Sequence, residues 1–243
     1  MRGDILTQSS LYRRGVKDGL PVFFGYLAVS FAFGITAKSL NISSPGAVLM
    51  SAANFTSAGQ FAAVSGIAAG IGYFELALTQ LVINLRYCLM SSALSQKISS
   101  RAPSFHRFFM AFGNTDEVFA LAVSFDGELQ PSYFYGLMTA ALPGWISGTA
   151  LGVFAGEFLP ARLLSPLGVA LYAMFIAIII PPAKKNRVVA GLILVSMSAS
   201  FAFSKLPLLS GVSSGFKIII LTVLLSALAA ALFPVETEEK YES

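Results

Sequence analysis

Residues Ser57–Met90 read SAGQFAAVSGIAAGIGYFELALTQLVINLRYCLM. An ionisable side chain at bilayer depth costs at least ~2.5 kcal/mol on insertion scales and faces a bundle interior or a water-filled cavity. Glu75 and Arg86, set in this apolar stretch, therefore need a structural reason. On a helix from Tyr73 to Ser95, at 100° per residue, Glu75, Thr79, Ile83, Arg86 and Met90 share one face, and Gln80, Asn84, Tyr87 and Ser91 share an adjacent one. Glu75 and Arg86 lie three turns apart, roughly 16 Å, so the partner of Arg86 comes from another segment. Upstream, Ser57 and Gln60 have the spacing of a capping box, which predicts a helix beginning at Ser57, preceded by Asn54 and Thr56, inside an apolar region. A helix broken at that depth is tolerated only where protein buries it or where it lines a cavity.

The rest of the chain fits a membrane setting. Its 243 residues are 56% hydrophobic and 12% charged, against roughly 25% charged in soluble domains, and the mean hydropathy is +0.75. Several apolar runs reach or approach the ~20 residues that cross a hydrocarbon core. The expected fold is all-α: a polytopic helical membrane protein with six to eight transmembrane segments, two of them broken or re-entrant helices. Net charge +4 is informative by location in such a chain, and nucleic-acid binding is not expected. A single Cys88 excludes an intrachain disulfide, and His106, the only His, lacks the company a zinc site requires, so no metal or other cofactor is expected. No Ser–His pair and no Walker-type loop points to an enzyme or an ATPase. The polar start carries no cleavable signal, and the first helix is expected to be retained.

In order, residues 1–15 form a cytoplasmic N-terminal segment, 16–234 a single transmembrane domain and 235–243 a polar acidic tail. Arg13, Arg14 and Lys17 at the first span, roughly 16–37, place the N-terminus inside. A turn over 41–46 leads to the interrupted segment 47–70, then to the polar-striped helix, then to a basic loop, 96–107, with Lys97, Arg101 and Arg107. If 47–70 crosses fully, this loop lies outside; if it re-enters, the loop lies inside, as the positive-inside rule favours. The segment 108–125 contains FGNTDEVFALAVSF, in which Asn114 and Glu117 repeat the capping-box spacing and Gly113 supplies a turn, so a second half-helix starts near Thr115. Re-entry is expected for both segments. The remaining spans are 132–157, 165–180, 187–203 and 215–233, with Pro143, Pro181, Pro182 and Pro234 at kinks or ends. LPVFFGYLAVSFAFG at Leu20 and LPGWISGTALGVFAG at Leu142 share residues in register, while LAVSF recurs at Leu27 and Leu121 at another offset. A repeat is suggested without a settled boundary.

LPVFFGYLAVSFAFG, the AGQF at Ala58–Phe61, the NLR at Asn84–Arg86, the TDE at Thr115–Glu117 and LYAMFIA from Leu171 occur in an order and spacing that resembles the AzlC family, the large subunit of bacterial branched-chain amino acid exporters. The resemblance covers most of the chain. It implies a multi-pass protein of the bacterial cytoplasmic (inner) membrane, a secondary carrier exporting branched-chain and other apolar amino acids, coupled to protons and paired with a small hydrophobic AzlD-type subunit. Tyr87 departs from the family, which commonly has His after NLR, so no proton role carries over to that position. The residues alone support a polytopic transporter. An ion or small-solute channel, or a structural membrane subunit whose partner carries the site, remain the alternatives.

Eight residues are candidates for substrate binding or coupling: Arg86, Asp116, Glu117, Asn84, Gln60, Asn114, Thr115 and Ser57. Arg86 either takes a substrate carboxylate, holds a carboxylate whose charge changes during transport, or locks two helices as a structural pair; its partner is Asp116 or Glu117. Neighbours on a helix point about 100° apart and are not expected to face one cavity together. Glu117 then serves as the capping-box acid, and Asp116 faces the substrate ammonium or the coupled proton. Gln60 and Asn84 either bind an amino acid backbone or tie helices together. Ser57, Asn114 and Thr115 start the half-helices whose N-termini can receive a carboxylate. Glu75 suits the positive end of its own helix, and Tyr87 and Trp145 are expected as packing or belt aromatics.

Overall fold

The computed structural model describes residues 7–158, 186–205 and 214–233, with a few isolated positions between them. The expected span 165–180 lies largely outside the described residues, as do the acidic tail, Pro181, Pro182 and Pro234. Among the described residues there are nine helices and no strand, the architecture of a helical membrane protein.

Helix α1, Gln8–Ser39, begins well before the expected position 16, because Thr7 caps it by accepting from the Ser10 N–H. At 32 residues it is roughly 48 Å long against a ~30 Å hydrocarbon core, so its polar first turns extend beyond the bilayer. It packs along its whole length, in parallel, on α7, Pro131–Phe158. The contact is made by small residues. Gly15 lies against Tyr133 and Gly136, Gly19 against Leu137 and Ala140, Phe23 against Gly144, Leu27 against Gly148, and Phe31 against Gly152. A small residue at every fourth position of α7 lets the two backbones touch, which is how dispersion replaces the hydrophobic effect between helices in lipid.

Helix α4, Tyr73–Lys97, runs the opposite way. Its end meets the segment leading into α7 through Leu129 N–H to Lys97 C=O, 2.8 Å, and Ser99 N–H to Leu129 C=O, 3.0 Å. Its start therefore lies at the end where α1 and α7 finish.

Between these long helices lie two short-helix hairpins. In the first, α2, Ser44–Ala53, enters beside the end of α1, where Lys38 pairs with Glu157 at 2.8 Å and the Ser44 hydroxyl donates to the same carboxylate at 3.0 Å. It descends past Thr149, 2.7 Å from the Ser51 hydroxyl, and turns at residues 54–57. Helix α3, Ala58–Ala68, then climbs back, with Phe61 edge-on to Phe33 and Val64 clustered with Ala37. The turn is held by Asn54, whose Oδ1 accepts from the Thr56 N–H and hydroxyl, and by Ser57 at φ 47°, a left-handed conformation uncommon outside Gly. In the second hairpin, α5, Phe105–Phe112, starts where His106 Nδ1 lies 2.8 Å from the Tyr135 hydroxyl, and α6, Asp116–Val123, returns to where Lys97 donates to the Val123 carbonyl. Each hairpin enters and leaves at one end, so both broken segments are re-entrant, from opposite ends. Their tips meet inside the bundle, Phe55 against Phe112 with ring centroids 5.2 Å apart.

Hairpin plus long helix thus occurs twice, as α2–α4 and α5–α7, in opposite directions, the inverted arrangement of many carriers. The sequence match between Leu20 and Leu142 relates α1 to α7, two parallel helices, and does not follow this unit. Two more helices follow: α8, Arg187–Lys205, and α9, Ser214–Leu232, which packs on α4, α8 and α3.

Candidate functional site

Where the hairpin tips meet, a cavity of about 450 Å³ opens, within the roughly 300–1,000 Å³ of small-molecule sites. One wall is apolar, made by Pro21, Val22 and Val29 of α1, Phe55 of the first tip and Trp145 of α7. The other carries Tyr26, Ser57, Tyr87, Thr115, Asp116 and Glu117.

The polar wall is built by the start of α6. Thr115 is its N-cap and accepts from the Val118 N–H, and the two following residues are acids, which suits the positive end of a helix dipole. Asp116 forms an ion pair with Arg86, 2.6 Å between Oδ2 and a guanidinium nitrogen, with both side chains about one-third exposed. Arg86 also reaches the Tyr87 hydroxyl at 3.4 Å and lies 5.1 Å from its ring centre. Tyr26, 7% exposed, stands with its hydroxyl 2.5 Å from Thr115 Oγ1 and 2.6 Å from Glu117 Oε2, while its ring packs edge-on against Trp145.

Behind the apolar wall runs a buried polar chain. The Trp145 indole N–H donates to Gln60 Oε1 at 2.8 Å, the Gln60 amide donates to the Ser51 hydroxyl at 3.0 Å, Ser51 meets Thr149, and the Thr149 hydroxyl donates to the Trp145 carbonyl at 3.0 Å. It fastens the first hairpin to α7. The polar stripe of α4 fastens both hairpins to that helix: Gln80 donates to the Gly59 carbonyl, Asn84 donates to Gln80, and Asn114 donates to Ser91. Asn84 Oδ1, Asn114 Oδ1, Thr79 Oγ1 and Arg86 Nε are buried without a hydrogen-bond partner.

Of the candidate residues, the fold gathers Ser57, Thr115, Asp116 and Glu117 at the cavity. Arg86 stands behind Asp116 and Tyr87 and does not line it. Gln60, Asn84 and Asn114 lie in the bonds that tie the hairpins to α4 and α7. Three expectations are corrected. Ser57 makes no side-chain cap bond and Gln60 is engaged with Trp145 and Ser51, so the first capping box does not form. At the second start the cap is Thr115, not Asn114, and Glu117 binds Tyr26 instead of closing a box. Asp116 and Glu117 both line the cavity, because α6 meets it with its N-terminal end and residues in the first turn can all reach an end-on opening. Tyr87 and Trp145, expected as packing or belt aromatics, both line the cavity, and Trp145 is a packing aromatic, buried in the core with its ring edge-on to Tyr26. Sequence reasoning passed over Tyr26; its signal was a lone phenol inside the apolar run LPVFFGYLAVSFAFG.

A family model described as AzlC protein matches residues 21–159, which include both hairpins and every residue lining this cavity. An uncharacterized membrane protein of Archaeoglobus fulgidus is 32% identical over 185 residues, 75% of this chain and 81% of its own length. The inner membrane protein YgaZ of Escherichia coli is 30% identical over 187 residues, covering 74% and 76%. The branched-chain amino acid transport protein AzlC of Bacillus subtilis is 23% identical over 179 residues, covering 72% and 69%. No solved structure matches the chain.

Proposed function

The chain belongs to the AzlC family, and from that premise we propose that it is the large subunit of a secondary carrier exporting branched-chain and other apolar amino acids across the bacterial inner membrane, coupled to protons and completed by a small AzlD-type subunit. The observation that carries this reading is the cavity at the meeting point of two opposed re-entrant tips, with fixed charges on one wall and apolar side chains on the other. That pairing suits a zwitterion with a hydrocarbon side chain. The name of the Bacillus relative, a branched-chain amino acid transport protein, supports the substrate class. The side chain would lie on Val22, Val29, Phe55 and Trp145. The carboxylate would lie at the start of α3, beside Ser57, at the positive end of that helix's dipole. Arg86 acts through Asp116, the proposed carrier of the coupled proton: while Asp116 is charged, the ion pair holds the second tip to α4.

The opposed hairpins suit alternating access, since moving either tip opens the cavity toward one end. Arg13, Arg14, Lys17, Lys97, Arg101 and Arg107 gather at the end where α1 starts, which supports a cytoplasmic N-terminus. The test is leucine counterflow in proteoliposomes holding this chain with and without the small subunit, each as wild type and Arg86→Ala. Saturable exchange that needs both the partner and Arg86 is expected. An unsaturable leucine current would replace the carrier with a channel, and unaffected exchange by Arg86→Ala would remove Arg86 from the mechanism.

A further inference from the structure

The two acids that begin α6 are not equivalent. Asp116 is compensated by a full positive charge at 2.6 Å. Glu117 has the Tyr26 hydroxyl at 2.6 Å, a neutral donor. The groups of ionisable type around Glu117 are Tyr26 on α1, Arg86 and Tyr87 on α4 and Asp116 on its own helix, while α7 contributes the indole of Trp145. With Arg86 and Asp116 cancelling, the cavity keeps one carboxylate that no cationic side chain in its lining faces; only the positive end of α6 and the Tyr26 hydroxyl act on it.

The donors point the same way. The Tyr26 hydroxyl donates toward Thr115 Oγ1 at 2.5 Å and Glu117 Oε2 at 2.6 Å, so its single proton is shared between them, and Thr115 also accepts from the Val118 N–H. Part of one neutral donor leaves most of the acceptor capacity of the Glu117 carboxylate unused where it opens on a mostly apolar cavity. A cation with donors completes such an arrangement, since charge-assisted hydrogen bonds are the strong ones.

We propose that Glu117 is the subsite for a primary ammonium group and that Tyr26 is its positioning residue, so that the cavity selects amines over their deaminated analogues. This rests on the carrier reading above and deepens it: the substrate would lie with its ammonium at the second hairpin tip and its carboxylate at the first.

The test uses the reconstituted two-subunit complex and three probes with one side chain: L-leucine, the corresponding 2-oxo acid and isopentylamine. In wild type, isopentylamine competes with leucine uptake and the oxo acid competes at least tenfold more weakly. Glu117→Gln raises the KM for leucine roughly tenfold or more and removes the discrimination against the oxo acid. Tyr26→Phe, which keeps the ring on Trp145, raises the leucine KM by a smaller factor without changing competition by the oxo acid, a split that general loosening of the fold would not produce. A wild-type carrier inhibited equally by leucine and the oxo acid overturns the proposal without any variant, and so does Glu117→Gln with an unchanged leucine KM. Absence of leucine exchange by the wild-type complex overturns the carrier reading, and the proposal with it.

Discussion

Replacing Gln60 by Leu is the sharpest test of how the first hairpin is held. Gln60 is fully buried, and its removal leaves the Trp145 indole N–H, now bonded at 2.8 Å, facing apolar surroundings with no acceptor. Ser51 keeps Thr149 as its partner, so one orphan donor is created. An orphaned buried donor costs about 1–3 kcal/mol, and in a chain of this size each kcal/mol shifts the melting point by roughly 2–4 °C. Gln60→Leu is therefore expected to melt roughly 2–12 °C lower in detergent. Trp145→Phe in the wild-type background leaves the Gln60 carbonyl orphaned and a smaller ring in place. In the Gln60→Leu background the same change removes the orphan donor, since replacing both partners by apolar groups approaches neutrality. The double mutant should thus be more stable than the sum of the singles by about 0.5–3 kcal/mol. The assay is a thermal scan of monodisperse protein in detergent for all four members of the cycle. Additivity within about 0.5 kcal/mol would refute the reasoning and reduce the chain from Trp145 to Thr149 to coincidence.

Other outcomes follow from the same geometry. Gly144→Ala puts a methyl carbon about 2.5 Å from the Phe23 carbonyl oxygen, and overpacking of that kind should destabilise by about 1–3 kcal/mol, whereas Gly191→Ala, with nothing within 4 Å, should not lower the melting point. Cysteines at 55 and 112, in a Cys88→Ala background, should be joined by a short bifunctional thiol reagent, because the two rings they replace touch across the hairpin tips; no crosslink in folded protein would count against re-entry from both ends. Cysteines at 38 and 101 should label from opposite sides of the membrane with an impermeant maleimide, and labelling of both from one side would reject the topology. Lys38→Ala should change stability by less than about 1 kcal/mol, as for exposed ion pairs, because Lys38 and Glu157 are both more than one-third exposed.

The long-range outline was legible because charge is conspicuous in an apolar text. Arg86 needed a distant acid, and TDE supplied one; the basic loop after α4 required that the segment before it return to the end it left, and it does. What stayed hidden depended on direction. The 100° rule separates Asp116 from Glu117 for an observer beside the helix, but the cavity looks down the axis of α6. Two eligible caps stood side by side at Asn114 and Thr115, and three-residue spacing could not choose between them. Gln60 matched a box at Ser57 until Trp145, 85 residues away, offered a better partner. Tyr26 counts as apolar in a hydropathy pattern, so no periodicity marks where its hydroxyl will find a carboxylate.

The anchoring of the first hairpin on α7 also sets a timetable for biogenesis. Ser51 and Thr149 are 98 residues apart, which at 5–20 residues per second is about 5 to 20 s of translation. Throughout that interval Asn54, Gln60 and the open turn between them have no α7 to lie against, and polar backbone does not rest in lipid alone. The first hairpin therefore gains its anchors on α7 only once α7 has been synthesised, and before that the bond from Gln80 of α4 to the Gly59 carbonyl is a long-range hold that the chain already made can offer it.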